Sequence, residues 1–235
     1  MPQEFELKVR EIIYRTYNVK SFRMEVGASS GAYRAGQFLL AQIKSRPELK
    51  RYLSFSSSPT EAGYIEFTKK VTESEFSQAL GRLKPGDSLL IQYPFGKFTL
   101  EDNFTKVAFL SGGIGITPIR SICKYAVDKN FGTDIVLVYA NRSIEDIVFK
   151  EDFDQMQKTY SGLKVAHVLC ESAPGFRCSI GRISAGVIKQ EVPDYPERKF
   201  FLCGPPGMVE AMRQILSGEL AVAGANIITE NFQGY

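Results

Sequence analysis

Histidine is almost absent: His167 is the only one among 235 residues. It lies inside KVAHVLC, an apolar run, which points to a core position. Catalysis by a histidine base or a nucleophile–histidine triad is therefore not expected. Cysteine is scarce too. Cys123, Cys170, Cys178 and Cys203 are widely spaced and form no CxxC pair, which speaks against zinc and iron–sulfur clusters, so no metal site is expected. No apolar stretch approaches the ~20 residues that cross a bilayer. The opening MPQEFELKVREIIYRTY is charged and alternating, unlike a secretory leader, and scattered thiols then fit a reducing cytoplasm. Charge of one sign is also lacking. The net excess of +3 falls within residues 1–103, which carry 15 Lys and Arg against 12 Asp and Glu. That is too little for a nucleic-acid footprint; an acidic protein partner or a solvated face both fit it.

What the chain does contain is two glycine turns. Residues 107–118 read VAFLSGGIGITP, and residues 201–208 read FLCGPPGM. In the first, an apolar run meets Gly112, Gly113 and Gly115, then Thr117 and Pro118. Threonine favours a helix cap and proline tolerates the first helical position, so the run predicts strand, turn and helix start. Backbone N–H groups and the helix dipole can then face a pyrophosphate. The common GxGxxG spacing is not met, because Pro118 stands where its third glycine belongs. The following strand, DIVLVYANR, ends in Asn141 and Arg142 rather than in an acid. Taken alone, this motif fits any tight α/β turn equally well.

The two halves differ in period. The first alternates through FELKVREIIYRTYNVKSFRMEV, AGQFLLAQI, KRYLSFS, GYIEFTKKV and DSLLIQYPF. Short strands at this spacing predict an antiparallel barrel or sandwich, interrupted by a helix over 73–83. The second half predicts strands near 106–110, 134–139, 164–169, 199–202 and 226–229. Helices are predicted near 117–129, 149–159, 183–190 and 205–217. This is a parallel sheet covered on both faces. Ligands bind beyond the carboxyl ends of such strands, where both glycine turns fall. The expected fold is thus two-domain, an N-terminal antiparallel β-barrel over 1–103 followed by a parallel-sheet α/β nucleotide-binding domain over 104–235.

Arg51 and Ser54 end a barrel strand in RYLSFSSSP and can reach one phosphate or one ring edge; a polar strand end with a Ser-Pro turn reads the same way. Ser74 can cap the helix that follows Lys69 and Lys70, leaving backbone N–H groups for a second phosphate.

The order of AGQF, RYLSFSSSP, the serine-bearing helix start, LKPGD, YPFGKF, GGIGITP, YANR, CGPPGM and the ENFQGY end resembles the ferredoxin–NADP⁺ reductase superfamily along nearly the whole chain. The resemblance implies an FAD cofactor and an NAD(P)H substrate. It assigns Arg51 to a flavin phosphate and Ser54 to the neighbourhood of flavin N5. Phe67, Thr68 and Lys69 would line the ribityl and diphosphate path, with Ser77 at the FAD pyrophosphate. Gly112, Gly113 and Thr117 would support the nicotinamide nucleotide, and Cys203, Gly204 and Pro205 would flank it. Glu230 would approach the site and Tyr235 would cover the flavin; a frayed tail is the plain alternative. Two positions depart from the family. Leu53 replaces an aromatic that stacks on the isoalloxazine, and Ser74 replaces the glycine of Gly-x-x-Ser.

The implied activity is FAD-dependent NAD(P)H oxidoreduction with a separate one-electron carrier, a ferredoxin or flavodoxin. Such hydride transfer needs no histidine, since ring alignment supplies most of the catalysis. A flavin reductase using flavin as substrate is the alternative, and a flavin-binding subunit without turnover is a third. Glu171, after the third strand of the nucleotide domain, would repel a 2′-phosphate and accept hydrogen bonds from a ribose. Arg142, Arg177 and Arg182 on the same predicted edge oppose that argument. The balance leans to NADH.

Overall fold

Alternation in the first half builds a curled antiparallel sheet. A computed structural model of the chain describes residues 1–27 and 31–230. The strands are β1 (Gln3–Thr16), β2 (Val19–Glu25), β3 (Phe38–Ile43), β4 (Lys50–Ser54), β5 (Tyr64–Lys70) and β6 (Ser88–Phe95), with α1 (Glu75–Gly81) between the last two. Their order is β4-β3-β6-β1-β2-β5. The long alternating run at the start is broken at Tyr17-Asn18 into the β1–β2 hairpin. Edge strands β4 and β5 curl towards each other and meet at a Phe55–Phe67 bridge. Inside the curl, Phe22, Leu39, Phe55, Phe67, Ile91 and Tyr93 are fully buried.

The second half contains β7 (Lys106–Gly112), α2 (Ile116–Lys129), β8 (Asp134–Asn141), α3 (Lys150–Thr159), β9 (Leu163–Leu169), β10 (Ser179–Ile180), α4 (Ala185–Glu191), β11 (Lys199–Cys203), α5 (Pro206–Gln214) and β12 (Ile227–Thr229). The sheet order is β10-β9-β8-β7-β11-β12, and every pair is parallel. Successive residues of β7 serve opposite faces, as the strand period requires. Val107 and Phe109 pack with Ile119 and Ile122 of α2. Ala108 and Leu110 pack with Ile188 of α4 and Val209 of α5. The chain leaves β7 towards β8 and returns on its other side as β11. The crevice at this reversal is where open α/β sheets receive ligands.

The two sheets share one core at their junction. Val19, Ala35, Phe98 and Leu100 belong to the apolar cluster built around α2 and β7. Phe98 meets Phe201 edge-on at 5.1 Å. Gly36 is needed here. Its φ is +93°, and a Cβ would strike the Phe98 carbonyl oxygen.

Two local details differ from the sequence reading. Gly115, not Thr117, is the N-cap of α2. The turn enters the helix two residues early, so Thr117 lies within the first turn and its hydroxyl donates to the Ile114 carbonyl at 3.2 Å. The two-residue β10 is too short to leave a periodic signal.

Candidate functional site

The glycine turns meet where the sheet order reverses. Cys203 at the end of β11 pairs in register with Ser111 of β7. A Cβ on Gly115 would stand 2.5 Å from the Cys203 carbonyl oxygen, and one on Gly204 would stand 3.2 Å from the Gly112 nitrogen. Glycine at these points lets two backbone turns touch. A cleft of about 550 Å³ opens beside them. Gly112, Gly113, Asn141, Arg142 and Pro205 line it from the α/β side, joined by Arg182. Tyr17, Asn18 and Lys70 line it from the barrel side. The Tyr17 hydroxyl donates to Asp146 at 2.9 Å across the two parts.

Cys203, fully buried, ends β11, and Glu230 follows the adjacent strand β12; neither is among the residues that line the cleft. Burial, and secondarily the Glu230 carboxylate, holds the Cys203 thiol well above its ordinary range, so it stays protonated and is no nucleophile. Burial alone raises Glu230 to about 7, and its Oε2 is buried without a hydrogen-bond partner among the described residues. This carboxyl therefore carries a proton over much of the neutral range. Its ordinary value is 4.5, so the unfolded chain releases that proton first as pH rises. Its contribution to stability is present below about 4.5 and is lost as pH climbs through about 7. Glu230→Gln is expected to unfold at a higher temperature than the parent at pH 8, with the gap closing towards pH 4. The ceiling of that gap is about 3 kcal/mol. Parallel unfolding curves at every pH would remove the buried carboxyl as its cause.

On the barrel, Ser54 ends β4 with its hydroxyl buried and without a partner among the described residues. Arg51 of β4 lies 5.8 Å from the Phe76 ring of α1. Lys69 of β5 is half-buried. Burial, then the neighbouring Arg51 and Lys70 charges, push its ammonium below the usual lysine range. Neither Arg51 nor Lys69 forms an ion pair among the described residues; Arg51 donates only to the Lys50 carbonyl at 2.8 Å. Crowded cations without counter-charge among the described residues fit a phosphate such as a flavin ester carries, and the orphaned hydroxyl three residues along β4 fits a polar ring edge.

The remaining candidates are placed as follows. Phe67 turns its ring into the barrel, stacked on Phe22 at 5.3 Å, so only its backbone can face outward. The Thr68 hydroxyl bonds Ser21 and Ser56 at 2.6 and 2.8 Å. Leu53 is buried in the barrel core. Ser74 caps α1 by accepting the Ser77 N–H at 3.3 Å, and Thr72 donates to the Ser77 hydroxyl at 3.0 Å. Arg142 and Glu171, at the ends of β8 and β9, pair with each other at 2.8 Å. Arg177 is exposed. His167 sits between the Tyr139 and Phe176 rings, and burial lowers its basicity. Tyr235 lies outside the described residues.

Sequence reasoning missed Tyr17, Asn18 and Lys70, which reach the cleft from the other sheet. It also missed Arg120. One signal existed for that residue: it is a lone arginine in the apolar stretch ITPIRSICKYA.

Comparison with known proteins agrees with this geometry. The oxidoreductase FAD-binding domain family matches residues 4–100, and the oxidoreductase NAD-binding domain family matches residues 109–214. NADH-cytochrome b5 reductase 1 of Aspergillus terreus is 33% identical over 186 residues, covering 75% of this chain and 63% of that protein. The glycine betaine monooxygenase reductase subunit of Pseudomonas aeruginosa is 31% identical over 220 residues, covering 88% and 59%. The chain thus spans less than two thirds of the length of both. The cytochrome b5 reductase domain of Ulva prolifera nitrate reductase has the same fold, with a TM-score of 0.85 at 22% identity over 97% of each chain. No helix among the described residues is long and apolar enough to cross a membrane. With paired flavin and nucleotide domains in this order, the chain belongs to the ferredoxin–NADP⁺ reductase-like superfamily of FAD- and NAD-binding oxidoreductases.

Proposed function

We propose that this chain oxidises NADH and delivers electrons singly, through FAD, to a separate carrier protein such as a ferredoxin or flavodoxin. Residues 1–103 hold the flavin, residues 104–235 hold the nucleotide, and the cytoplasm is the compartment. The observation that carries the reading is the convergence of both units on one cleft. Lys70 and Val19 of the barrel line it together with Gly112, Gly113 and Pro205 of the α/β sheet. Relatives named as reductases of cytochrome b5 and of a monooxygenase support a protein acceptor.

When bound, the flavin supplies two-electron chemistry with the nicotinamide and one-electron chemistry with the carrier. Arg51 and Lys69 would hold its phosphate, and the Ser54 hydroxyl would bond its ring edge. Gly112, Gly113, Thr117, Gly204 and Pro205 would seat the nucleotide. Cys203 would pack against the nicotinamide as a small neutral group. Glu230 would keep a proton on its carboxyl beside that contact.

The test is the purified full chain after desalting. A yellow protein with stoichiometric FAD, bleached by NADH, is expected. A colourless protein that reduces added flavin would overturn the bound-cofactor reading. One observation favours that rival. The Ser77 N–H is already donated to Ser74 within the 72–77 turn, which leaves one donor fewer for a second phosphate; the Ser77 hydroxyl accepts from Thr72 and keeps its own proton to give.

The nucleotide preference follows from the Arg142–Glu171 pair. A 2′-phosphate would have to draw Arg142 away from Glu171 while approaching a carboxylate. Glu171→Gln removes the repulsion and frees the guanidinium. Relative kcat/KM should move towards NADPH by about 5- to 10-fold. A parent enzyme that already prefers NADPH, and loses that preference on Arg182→Ala, would transfer the role to Arg182.

A further inference from the structure

The helix that starts at the nucleotide turn is pinned to the loop that follows the flavin-side serine. Arg120 lies on α2 and is 5% exposed. Its Nη1 donates to the Ser56 carbonyl at 3.0 Å. Nη1 and Nη2 together grip both carboxylate oxygens of Glu61, and Nη2 donates to Oε1 at 3.1 Å. Nε donates to Asp152 of α3 at 2.9 Å. The next residue, Ser121, donates from its hydroxyl to the Ser57 carbonyl at 2.6 Å.

The barrel grips the same two residues. The Ser56 hydroxyl donates to the Glu66 carboxylate at 2.8 Å. The Ser56 and Ser57 N–H groups both donate to the Glu66 carbonyl, at 2.7 and 3.3 Å. The Ser57 hydroxyl accepts the Glu66 N–H at 2.8 Å. The Glu66 carboxylate is itself buried and held by Arg15 and Arg23, each at 3.0 Å. Ser56–Ser57 is therefore a joint fixed from both sides. Two residues before it stands Ser54. The Gly112–Gly115 turn ends five residues before Arg120.

Cohesion alone does not require this arrangement. Apolar contact already joins the two parts, with Phe98 on Phe201, and buried ion pairs add little net stability compared with apolar packing. What a planar guanidinium fork adds is a fixed direction and register. A transfer between two bound rings is sensitive to both.

We propose that Arg120, assisted by Ser121, is a positioning residue of the redox reaction. It sets the register between the nucleotide turn of α2 and the flavin-side Ser54. The proposal rests on the hydride-transfer reading above. The residue touches neither ring; it acts through the Ser56–Ser57 joint.

The test is anaerobic stopped-flow bleaching of the FAD-loaded full chain by saturating NADH, alongside FAD content, NAD⁺ affinity and unfolding temperature. Arg120→Lys keeps the charge and loses the fork. It should slow bleaching by about 10²-fold and weaken the long-wavelength charge-transfer absorbance, with FAD content and NAD⁺ affinity little changed. Ser121→Ala removes one hydroxyl from the same joint and should act in the same direction by about tenfold. If Arg120→Lys fails to fold, Ser121→Ala and Glu61→Gln decide. Lower unfolding temperatures with parental rate and absorbance would make Arg120 a structural residue and overturn the proposal. A parent protein that NADH and NADPH both leave unbleached would instead overturn the functional reading on which it stands.

Discussion

Arg51→Ala combined with Lys69→Ala is expected to strip the flavin from the folded protein, weakening its retention by about 10³-fold. The two cations crowd each other, and the Lys69 ammonium is pushed down by burial and by the Arg51 and Lys70 charges. They form no ion pair among the described residues. Such a cluster stores repulsion that an anion relieves. A hydrogen bond to a charged group contributes about 1.5–3 kcal/mol, and two of them account for the factor. Because the repulsion is removed as well, the flavin-free double variant should unfold no earlier than the flavin-free parent. Flavin content after gel filtration and the FAD dissociation constant are the measurements. Full retention of FAD in the double variant would move the phosphate elsewhere on the barrel.

That cluster also shows how far the sequence could be read. Arg51, Ser54 and Lys69 could be singled out as candidates because they sit on edge strands whose ends the alternation marks, and because the family resemblance points to them; the flavin contact of Arg51 and Lys69 is the proposal that the double variant tests. The parallel sheet was legible for a similar reason. Its strands are short apolar runs, and its helices carry an apolar face on the 3.6-residue period. The cleft's far wall was not. Tyr17 lies in a hairpin turn that periodicity does not place against Asp146, 129 residues later. The Arg120–Glu61 contact spans 59 residues, and no local spacing encodes it. Thr117 was misread as a cap because cap chemistry alone does not say where helical backbone angles begin; Gly115 already has them, at φ −61° and ψ −5°. The Arg142–Glu171 pair was hidden differently. Both residues were visible as strand-end charges, but only the parallel pairing of β8 with β9 makes them neutralise each other.

Gly115→Ala should damage the site through backbone alone. The added Cβ would stand 2.5 Å from the Cys203 carbonyl oxygen and 2.6 Å from the Gly204 Cα. Backbone cannot rotate aside as a side chain can, so the two turns must part by roughly 1 Å to reach ordinary contact. Overpacking of this kind costs about 1–3 kcal/mol of stability. The effect on function should exceed that. A displacement of about 1 Å between the turns that seat the nucleotide is expected to slow bleaching by NADH by about 10²-fold. Gly112→Ala is the matched control. Its new methyl meets the end of the flexible Met208 side chain rather than backbone, and a thioether adapts readily. The Gly112 variant should therefore keep most of the parental unfolding temperature, while any change in its rate reports on the cleft wall that Gly112 itself forms. Equal losses at both positions would show that the two turns give way generally. Parental rate and unfolding temperature in the Gly115 variant would mean that the turns already separate when nucleotide binds.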